Sequence, residues 1–364
     1  MIISVEELQA KLNGQERIFI LDIRPPDQRH EWRIAESVHL DAYARLKAGD
    51  HRVLDEVNVP ADTAVVTVCA AGRTSLIAAE ALRAKGIPAR SLEGGMKAWN
   101  YAWNSAEVTL PNDLKIIQVR RAAKGCLSYV VGSENEAVVI DAALDPSVYM
   151  KIASDNGWKI RYVADTHIHA DYISRTRELA RHPGAEHVLI QNAKVGFSYT
   201  PLMNGDSISF GKCSLEILHT PGHTLESTSF KLQAVAVFTG DTLFTDGVGR
   251  PDLKANEHEA IEKSKSLYRS LKTLLALPPS VMVFPAHTGK TVSFDSKMIY
   301  STIGELEKMD LLKMGEQEFI HYTTTRIPPT PPNYQTIATL NAQGSFGDYN
   351  PADLEAGGNH CAVK

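Results

Sequence analysis

Four segments of the sequence share one plan: a short apolar run, typical of a buried strand, stops and polar residues follow at once. Each polar stretch holds histidine or aspartate, the residue types that bind metal ions in proteins. In α/β proteins the loops that follow neighbouring strands gather at one edge of the sheet. The plan therefore predicts an α/β fold with a metal site built from four loops, at residues 165–172, 219–224, 239–242 and 285–288.

The first loop, Asp-Thr-His-Ile-His-Ala-Asp-Tyr, is the richest in candidate ligands. Over the four loops the candidates are His167, His169, Asp171, His223, Asp241 and His287. A lone histidine after a strand is more often an ordinary surface or core residue, but converging loops favour a metal site. Other histidines lack this placement, and we interpret them as structural or solvated: His182, His187, His219 and His258.

A second chemical feature lies in the first hundred residues. Residues 17–23 and 63–68 are short apolar runs that predict strands of a parallel sheet. After the second run comes the loop Cys-Ala-Ala-Gly-Arg-Thr and then a helical pattern at residues 75–85. A thiol in a tight loop above a helix N-terminus and beside Arg73 should be present largely as thiolate, so we expect Cys69 to be a nucleophile. The alternative is a buried, inert cysteine.

The length of 364 residues exceeds one ordinary core and predicts two domains, with a lapse of periodicity between residues 100 and 113. A net charge of -5 argues against nucleic-acid binding. No apolar run reaches the roughly 18 residues of a membrane span, and the first residues do not resemble a signal peptide. We therefore expect a cytoplasmic protein that binds no membrane. The four cysteines lack CxxC spacing and predict free thiols.

Residues 1–104 resemble the rhodanese family of sulfurtransferases. The resemblance rests on Leu-Asp-Ile-Arg at residues 21–24, the six-residue loop 69–74, and Leu-Glu-Gly-Gly-Met-Lys-Ala-Trp at residues 92–99. It implies that Cys69 carries a persulfide sulfur, with Arg73 beside it. Loops of that family often have arginine at the sixth position, whereas here Arg73 is fifth and Thr74 sixth, so the sulfur acceptor stays open.

Residues 113–330 resemble the metallo-β-lactamase superfamily, an αββα sandwich, and within it the persulfide dioxygenases. The motifs are Thr-Pro-Gly-His-Thr at 220–224, Phe-Thr-Gly-Asp-Thr-Leu-Phe at 238–244, Val-Gly-Arg-Pro-Asp-Leu at 248–253 and the proline-rich stretch 327–334. The resemblance implies one Fe(II) per chain, held by His167, His223 and Asp241. Such a ligand set leaves open positions that suit non-haem Fe(II).

The remaining polar residues of the loops receive supporting roles. His169 and Asp171 would orient the ligands, and His287 would contact the substrate or support the site. Hydrolytic relatives with two zinc ions have histidine after the motif aspartate. This chain has Tyr172 there, and a phenol with an ordinary pKa of about 10 is a poor ligand. Arg250 is the predicted cation for a substrate anion, with a structural salt bridge as its alternative.

The sequence thus predicts a two-domain sulfur enzyme that oxidises a low-molecular-weight thiol persulfide with O₂ to sulfite and thiol. Cys69 would exchange sulfane sulfur with thiosulfate or sulfite, in a direction that the sequence leaves open. One alternative is a zinc thioester hydrolase resembling glyoxalase II, and another is a non-catalytic sulfur-binding module. The family also suggests a homodimer.

Residues 331–364 are expected to form a C-terminal extension that packs on or trails from the second domain. We interpret Cys126 and Cys213 as packing residues. Cys361 lies in a tail expected to be mobile, with a role in relaying sulfur as the alternative.

Overall fold

The computed structural model describes residues 1–364. Its first unit is a five-stranded sheet in the order β1-β5-β4-β2-β3, with every neighbouring pair parallel. The strands are β1 (Ile2–Ile3), β2 (Ile18–Asp22), β3 (Val38–His39), β4 (Ala64–Val68) and β5 (Ala89–Leu92). The helices are α1 (Val5–Asn13), α2 (Pro26–Glu31), α3 (Tyr43–Lys47), α4 (Arg73–Ala84) and α5 (Gly95–Trp99), with a 3-10 turn at His51–Glu56. The apolar runs became central strands because helices cover both faces of the sheet.

The larger unit contains two sheets. The seven-stranded sheet runs β12-β11-β10-β9-β8-β7-β6. Its strands are β6 (Trp103–Leu110), β7 (Leu114–Arg121), β8 (Leu127–Ser133), β9 (Glu136–Ile140), β10 (Lys159–Ala164), β11 (Glu186–Ile190) and β12 (Thr200–Leu202). The six-stranded sheet runs β13-β14-β15-β16-β18-β19. Its strands are β13 (Ser207–Phe210), β14 (Cys213–His219), β15 (Thr228–Leu232), β16 (Ala236–Gly240), β18 (Met282–Pro285) and β19 (Ser301–Thr302).

Helices lie outside both of these sheets, so the layer order is αββα, as the sequence predicted. The helices are α6 (Pro146–Asp155), α7 (Thr176–Leu179), α8 (Glu257–Leu275), α9 (Ile303–Leu306), α10 (Asp310–Lys313), α11 (Glu316–Thr325), α12 (Tyr334–Gln343) and α13 (Pro351–Leu354). The core between the sheets is apolar and aromatic and includes Tyr129, Phe210, Phe230, Phe238 and Phe284. None of the helices is long and apolar enough to cross a membrane.

The stretch with lapsed periodicity contains β6, which pairs with β7 along its whole length and so belongs to the second unit's sheet. Residues 173–181 form only the short helix α7, because the hydroxyls of Ser174 and Thr176 bond to Asp165 and hold the preceding chain in an irregular loop.

The C-terminal extension packs against the rest of the molecule. Strand β20 (Ala362–Val363) pairs antiparallel with β17 (Val248–Gly249). Residues of α12 and α13 pack on Ile173. Glu355 forms a fully buried ion pair with Arg121 of β7, at 2.7 Å. The tail therefore reaches the strand-end edge where the four loops meet.

Candidate metal centre and candidate sulfur-transfer site

Four strands deliver their following loops to one edge of the larger unit. His167 follows β10, His223 follows β14, Asp241 follows β16 and His287 follows β18. Strands β14, β16 and β18 point the same way, because β14 and β16 are each antiparallel to β15 and β18 is parallel to β16. All four side chains are buried, with at most 3 % exposure.

His167, His223 and Asp241 form a cluster whose ligand atoms lie within 4.8 Å of one another. The Nε2 atom of each histidine is 3.7 Å from Asp241 Oδ2. That oxygen is buried and has no hydrogen-bond partner, which is costly for a carboxylate. Burial lowers the pKa of both histidines, so their rings are neutral. Two neutral nitrogens and an orphaned anionic oxygen fit a metal ion.

Hydrogen bonds fix the tautomers of the two histidines. His223 Nδ1 lies 2.9 Å from the carbonyl oxygen of Arg250, which can only accept. His167 Nδ1 lies 3.0 Å from Thr166 Oγ1, whose own proton goes to the Asp141 carboxylate at 3.0 to 3.1 Å. Both Nδ1 atoms must therefore donate. Each ring is left with an Nε2 lone pair directed to the cluster, the arrangement that a metal ligand needs.

His287 bridges two carboxylates. Its Nδ1 is 2.6 Å from Asp241 Oδ1 and its Nε2 is 3.0 Å from Asp171 Oδ2. Burial alone favours the neutral ring, but Asp171 and Asp241 raise the pKa of His287 well above its ordinary value. The same imidazolium helps to hold the pKa of both carboxyls low, against the opposing effect of burial. Only the Nδ1 contact has hydrogen-bond geometry, and the Nε2 contact to Asp171 is an ion pair. A protonated imidazole ring has no lone pair for a metal.

His169 and Tyr172 lie beside this cluster rather than in it. His169 Nε2 is 3.0 Å from Asp141 Oδ1, and the Tyr172 ring stacks on His169 with centroids 4.3 Å apart. Burial, followed by the charge of Asp141, raises the pKa of Tyr172 well above 10. A neutral phenol is a weak ligand.

Sequence reasoning missed three residues near the centre. Asp141 binds both Thr166 and His169, and its position directly after β9 follows the same plan as the four loops. The packing interpretation of Cys126 was incomplete, because its Sγ lies 3.7 Å from Asp171 Oδ2; Cys213 does lie in the core. The expectation of a mobile Cys361 was wrong: it is buried, with Sγ within 4.8 Å of ligand atoms of both Asp241 and His287.

The burial of Cys361 affects its chemistry. Burial first, and then the charges of Asp241 and Asp171, raise the pKa of Cys361 well above its ordinary value, so it is a neutral thiol. The side-chain amide of Asn359 contacts both Cys361 Sγ, at 3.6 Å, and Asp171 Oδ2, at 3.3 Å. No motif in the sequence marks this segment, which only tertiary packing brings to the site.

Arg250 is placed differently from the sequence prediction. Its side chain is fully buried. Nε and Nη2 bond to the Asp252 carboxylate at 2.8 and 2.7 Å, and Nη1 bonds to the carbonyl oxygens of Pro329 and His360. All three nitrogens are thus occupied within the protein, while the main chain orients His223. Its binding of substrate stays a prediction.

In the first unit, Cys69 lies between β4 and α4 and is 2 % exposed. Its Sγ accepts a hydrogen bond from Ser75 Oγ at 3.2 Å, and Ser75 Oγ is 2.8 Å from Ser91 Oγ. Gly95 packs directly under the loop, where a Cβ would lie 2.3 Å from the Cys69 carbonyl oxygen. Arg73 is exposed and forms no ion pair. Cys69 lies in the loop as predicted, whereas Arg73, expected in the loop, is the first residue of α4. The catalytic roles of both residues remain a prediction.

Two family patterns match the chain: "Rhodanese-like domain" over residues 4–102 and "Metallo-beta-lactamase superfamily" over residues 122–287. Persulfide dioxygenase ETHE1 of Mus musculus is 35 % identical over 47 % of this chain and 68 % of its own length. A probable hydroxyacylglutathione hydrolase of Schizosaccharomyces pombe is 30 % identical over 51 % and 72 %. The crystal structure of ETHE1 from Myxococcus xanthus has a TM-score of 0.55 and 27 % identity, covering 62 % of this chain and 97 % of that one.

Proposed function

Because the chain belongs to the metallo-β-lactamase superfamily and carries a rhodanese-like domain ahead of it, we propose that it is a sulfur-metabolism enzyme with two activities. The larger unit is an Fe(II) persulfide dioxygenase. It converts a low-molecular-weight thiol persulfide, O₂ and water into the thiol, sulfite and two protons. The rhodanese-like unit exchanges sulfane sulfur through Cys69.

The observation that carries the dioxygenase proposal is that only three of the polar side chains at the centre form a cluster of free ligand atoms. His167, His223 and Asp241 offer free ligand atoms. His287 instead forms a hydrogen bond to Asp241 and an ion pair with Asp171, and Tyr172 is neutral and stacked on His169. This favours one metal ion over two. Relatives named persulfide dioxygenase cover the same region.

The side chains around the centre have defined tasks in this proposal. When bound by His167, His223 and Asp241, Fe(II) supplies the one-electron chemistry that O₂ requires to react with a sulfur anion. The His287 imidazolium keeps Asp241 ionised and fixed. Thr166 and the Arg250 carbonyl hold the two histidine rings in their ligand tautomers. Burial of all these groups excludes bulk water from the centre.

The rhodanese-like unit acts by displacement at sulfur. The Cys69 thiolate attacks the sulfane sulfur of thiosulfate, forms the Cys69 persulfide and releases sulfite; the reverse step uses sulfite made by the larger unit. Ser75 donates a hydrogen bond to the nucleophile. Replacement of Cys69 by alanine should abolish thiosulfate:cyanide sulfur transfer and leave O₂ uptake largely intact. Loss of both activities would show tighter coupling between the units than we propose.

The test of the dioxygenase is O₂ consumption by anaerobically purified, iron-loaded protein given glutathione persulfide, with sulfite measured as product. Uptake of one O₂ per sulfite is the expected result, and it should disappear in His223→Ala. The alternative is a zinc thioester hydrolase, favoured by the intact His169, Asp171 and His287 and by the S. pombe relative. Cleavage of a glutathione thioester by the zinc-loaded protein, with no O₂ uptake by the iron-loaded form, would establish that alternative.

A further inference from the structure

A groove of about 450 Å³ is lined in part by His223, one of the three residues of the metal cluster. Its walls come from the loops after β10, β11 and β14, from the start of α8 and the residues just before it, and from α12. The volume falls in the ordinary range for small-molecule sites, roughly 300 to 1,000 Å³. A molecule that presents its sulfur to the centre would lay the rest of its length in this groove.

The acidic side chains of the groove have hydrogen-bond or ion-pair partners, whereas its lysines have no carboxylate partner. Its glutamates all have partners: Glu226 accepts from the Ile168 amide, Glu259 from the Asn256 amide, and Glu262 pairs with Lys265. Its three lysines, Lys194, Lys254 and Lys263, have no carboxylate within 4 Å. The unpaired ammonium groups suit an anionic ligand.

Lys263 is the lysine that the protein fold constrains most. It is partly buried on α8, and its Nζ bonds only to the Leu253 carbonyl oxygen, at 3.1 Å. An ammonium carries three donors, so two remain without a protein partner. Burial lowers the pKa of Lys263 to about 8, despite the nearby charges of Glu226, Asp252 and Glu259. A charge that is partly removed from water and left unpaired is costly unless a counter-ion arrives.

Arg250 cannot take this role without giving up its own bonds, because Asp252 and two carbonyl groups occupy its guanidinium. We propose that Lys263, with Lys254 in the same groove, binds carboxylate or phosphate groups of the thiol carrier, so that the enzyme selects persulfides of anionic carriers. This inference rests on the proposed dioxygenase function for the identity of the sulfur group, but the anion site can be tested without turnover.

The binding test uses S-methylglutathione as an inert carboxylate probe, S-methyl coenzyme A as a phosphate probe, and the diethyl ester of S-methylglutathione as a probe without carboxylates. Calorimetry measures the Kd of each probe for the unsubstituted protein and for the Lys263→Met variant. For at least one anionic probe, we expect the Kd to rise roughly 10-fold in the variant, as for loss of one charge-assisted hydrogen bond, with no change for the ester. Lys263→Arg should restore part of the affinity.

Lys272→Met is the matched control, since Lys272 lies on the same helix and its Nζ also bonds to a main-chain carbonyl, that of Leu312, outside the groove. It removes the same charge and should leave every Kd unchanged. Equal losses in Lys263→Met and Lys272→Met, equal losses for the ester, or failure of both anionic probes to bind the unsubstituted protein would each overturn the anion site. Lys263-dependent binding without persulfide-dependent O₂ uptake would keep the anion site and reject the dioxygenase.

Discussion

At the scale of single residues, the donor and acceptor roles of the hydrogen bonds explain how the centre is organised. Thr166 has one hydroxyl proton and gives it to Asp141, so His167 must donate to Thr166 and keep Nε2 free. His287 lies between two carboxylates and forms an ion pair with each of them. The identity of each ligand atom follows from the groups behind it.

Ser75 offers a test at this scale. Its hydroxyl is buried and donates to Cys69 Sγ, so Ser75→Ala should lower kcat for thiosulfate:cyanide transfer roughly 10-fold by removing one hydrogen bond to the thiolate. O₂ uptake with glutathione persulfide should not change. Ser91→Ala is the control, because Ser91 reaches the sulfur only through Ser75 and should have a smaller effect. An unchanged kcat in Ser75→Ala would contradict the role of this bond.

The sequence allowed the six polar candidates of the loops to be identified, because each follows an apolar strand. It did not allow Cys361 or Asn359 to be placed, since their position depends on β20 pairing with a strand more than 100 residues earlier. The sequence also did not allow the partners of Arg250 to be predicted. Two of them are the main-chain carbonyls of His360, in the extension, and Pro329, in the segment before it.

At the scale of elements, apolar strands were predictable and polar ones were not. Strands β4 and β16 are largely buried apolar runs that pattern alone reveals. Strand β6 contains several polar residues, and its sequence pattern did not indicate a strand, although Asn104 and Ala106 are buried. The long irregular loop before α7 arises from side-chain hydrogen bonds to Asp165, which helical periodicity cannot report.

Strand β11 carries a buried histidine with a measurable consequence for stability. His187 is 8 % exposed and stacks on Phe197, and burial lowers its pKa to about 4, with a smaller effect of Arg177. The unfolded ring has an ordinary pKa of about 6.5. As pH falls from 6.5 to 4, the unfolded chain therefore takes up a proton that the native ring refuses, and native stability declines.

Urea unfolding at pH 7 and pH 5 measures this effect. His187 should account for a loss of about 2 kcal/mol between the two pH values, since each unit of pH within the window contributes about 1.4 kcal/mol. His187→Phe should lose correspondingly less stability on acidification than the parent protein. Identical pH dependences in the two proteins would show that His187 is not held neutral.

At the scale of the whole molecule, the C-terminal extension joins both units to the metal centre. Asp353 pairs with Lys97 of α5, which adjoins the Cys69 loop. Glu355 pairs with Arg121 and also accepts from the Ile173 amide, two residues after Asp171. The chain then passes Glu31 and brings Cys361 close to Asp241. The extension thus contributes residues to the metal cluster and contacts the helix next to the Cys69 loop.

The buried Glu355–Arg121 ion pair should contribute far more to stability than the exposed Asp353–Lys97 ion pair. Glu355→Ala leaves the Arg121 charge buried without a counter-ion, which should destabilise the protein by roughly 3 to 5 kcal/mol and weaken iron binding. Asp353→Ala removes an exposed partner and should have little effect. Denaturant unfolding and iron content report both outcomes. Comparable stability for the two variants would refute the anchoring role of Glu355.

The central claim is that one metal ion lies between His167, His223 and Asp241. Anaerobic titration of the metal-free protein with Fe(II), followed by removal of loose metal and elemental analysis, tests it most directly. We predict one tightly held iron per chain, lost in His223→Ala and retained in His287→Gln at reduced affinity, because His287 supports Asp241 rather than binding metal. Two tightly bound metal ions per chain, with the second lost in His287→Gln, would contradict the account.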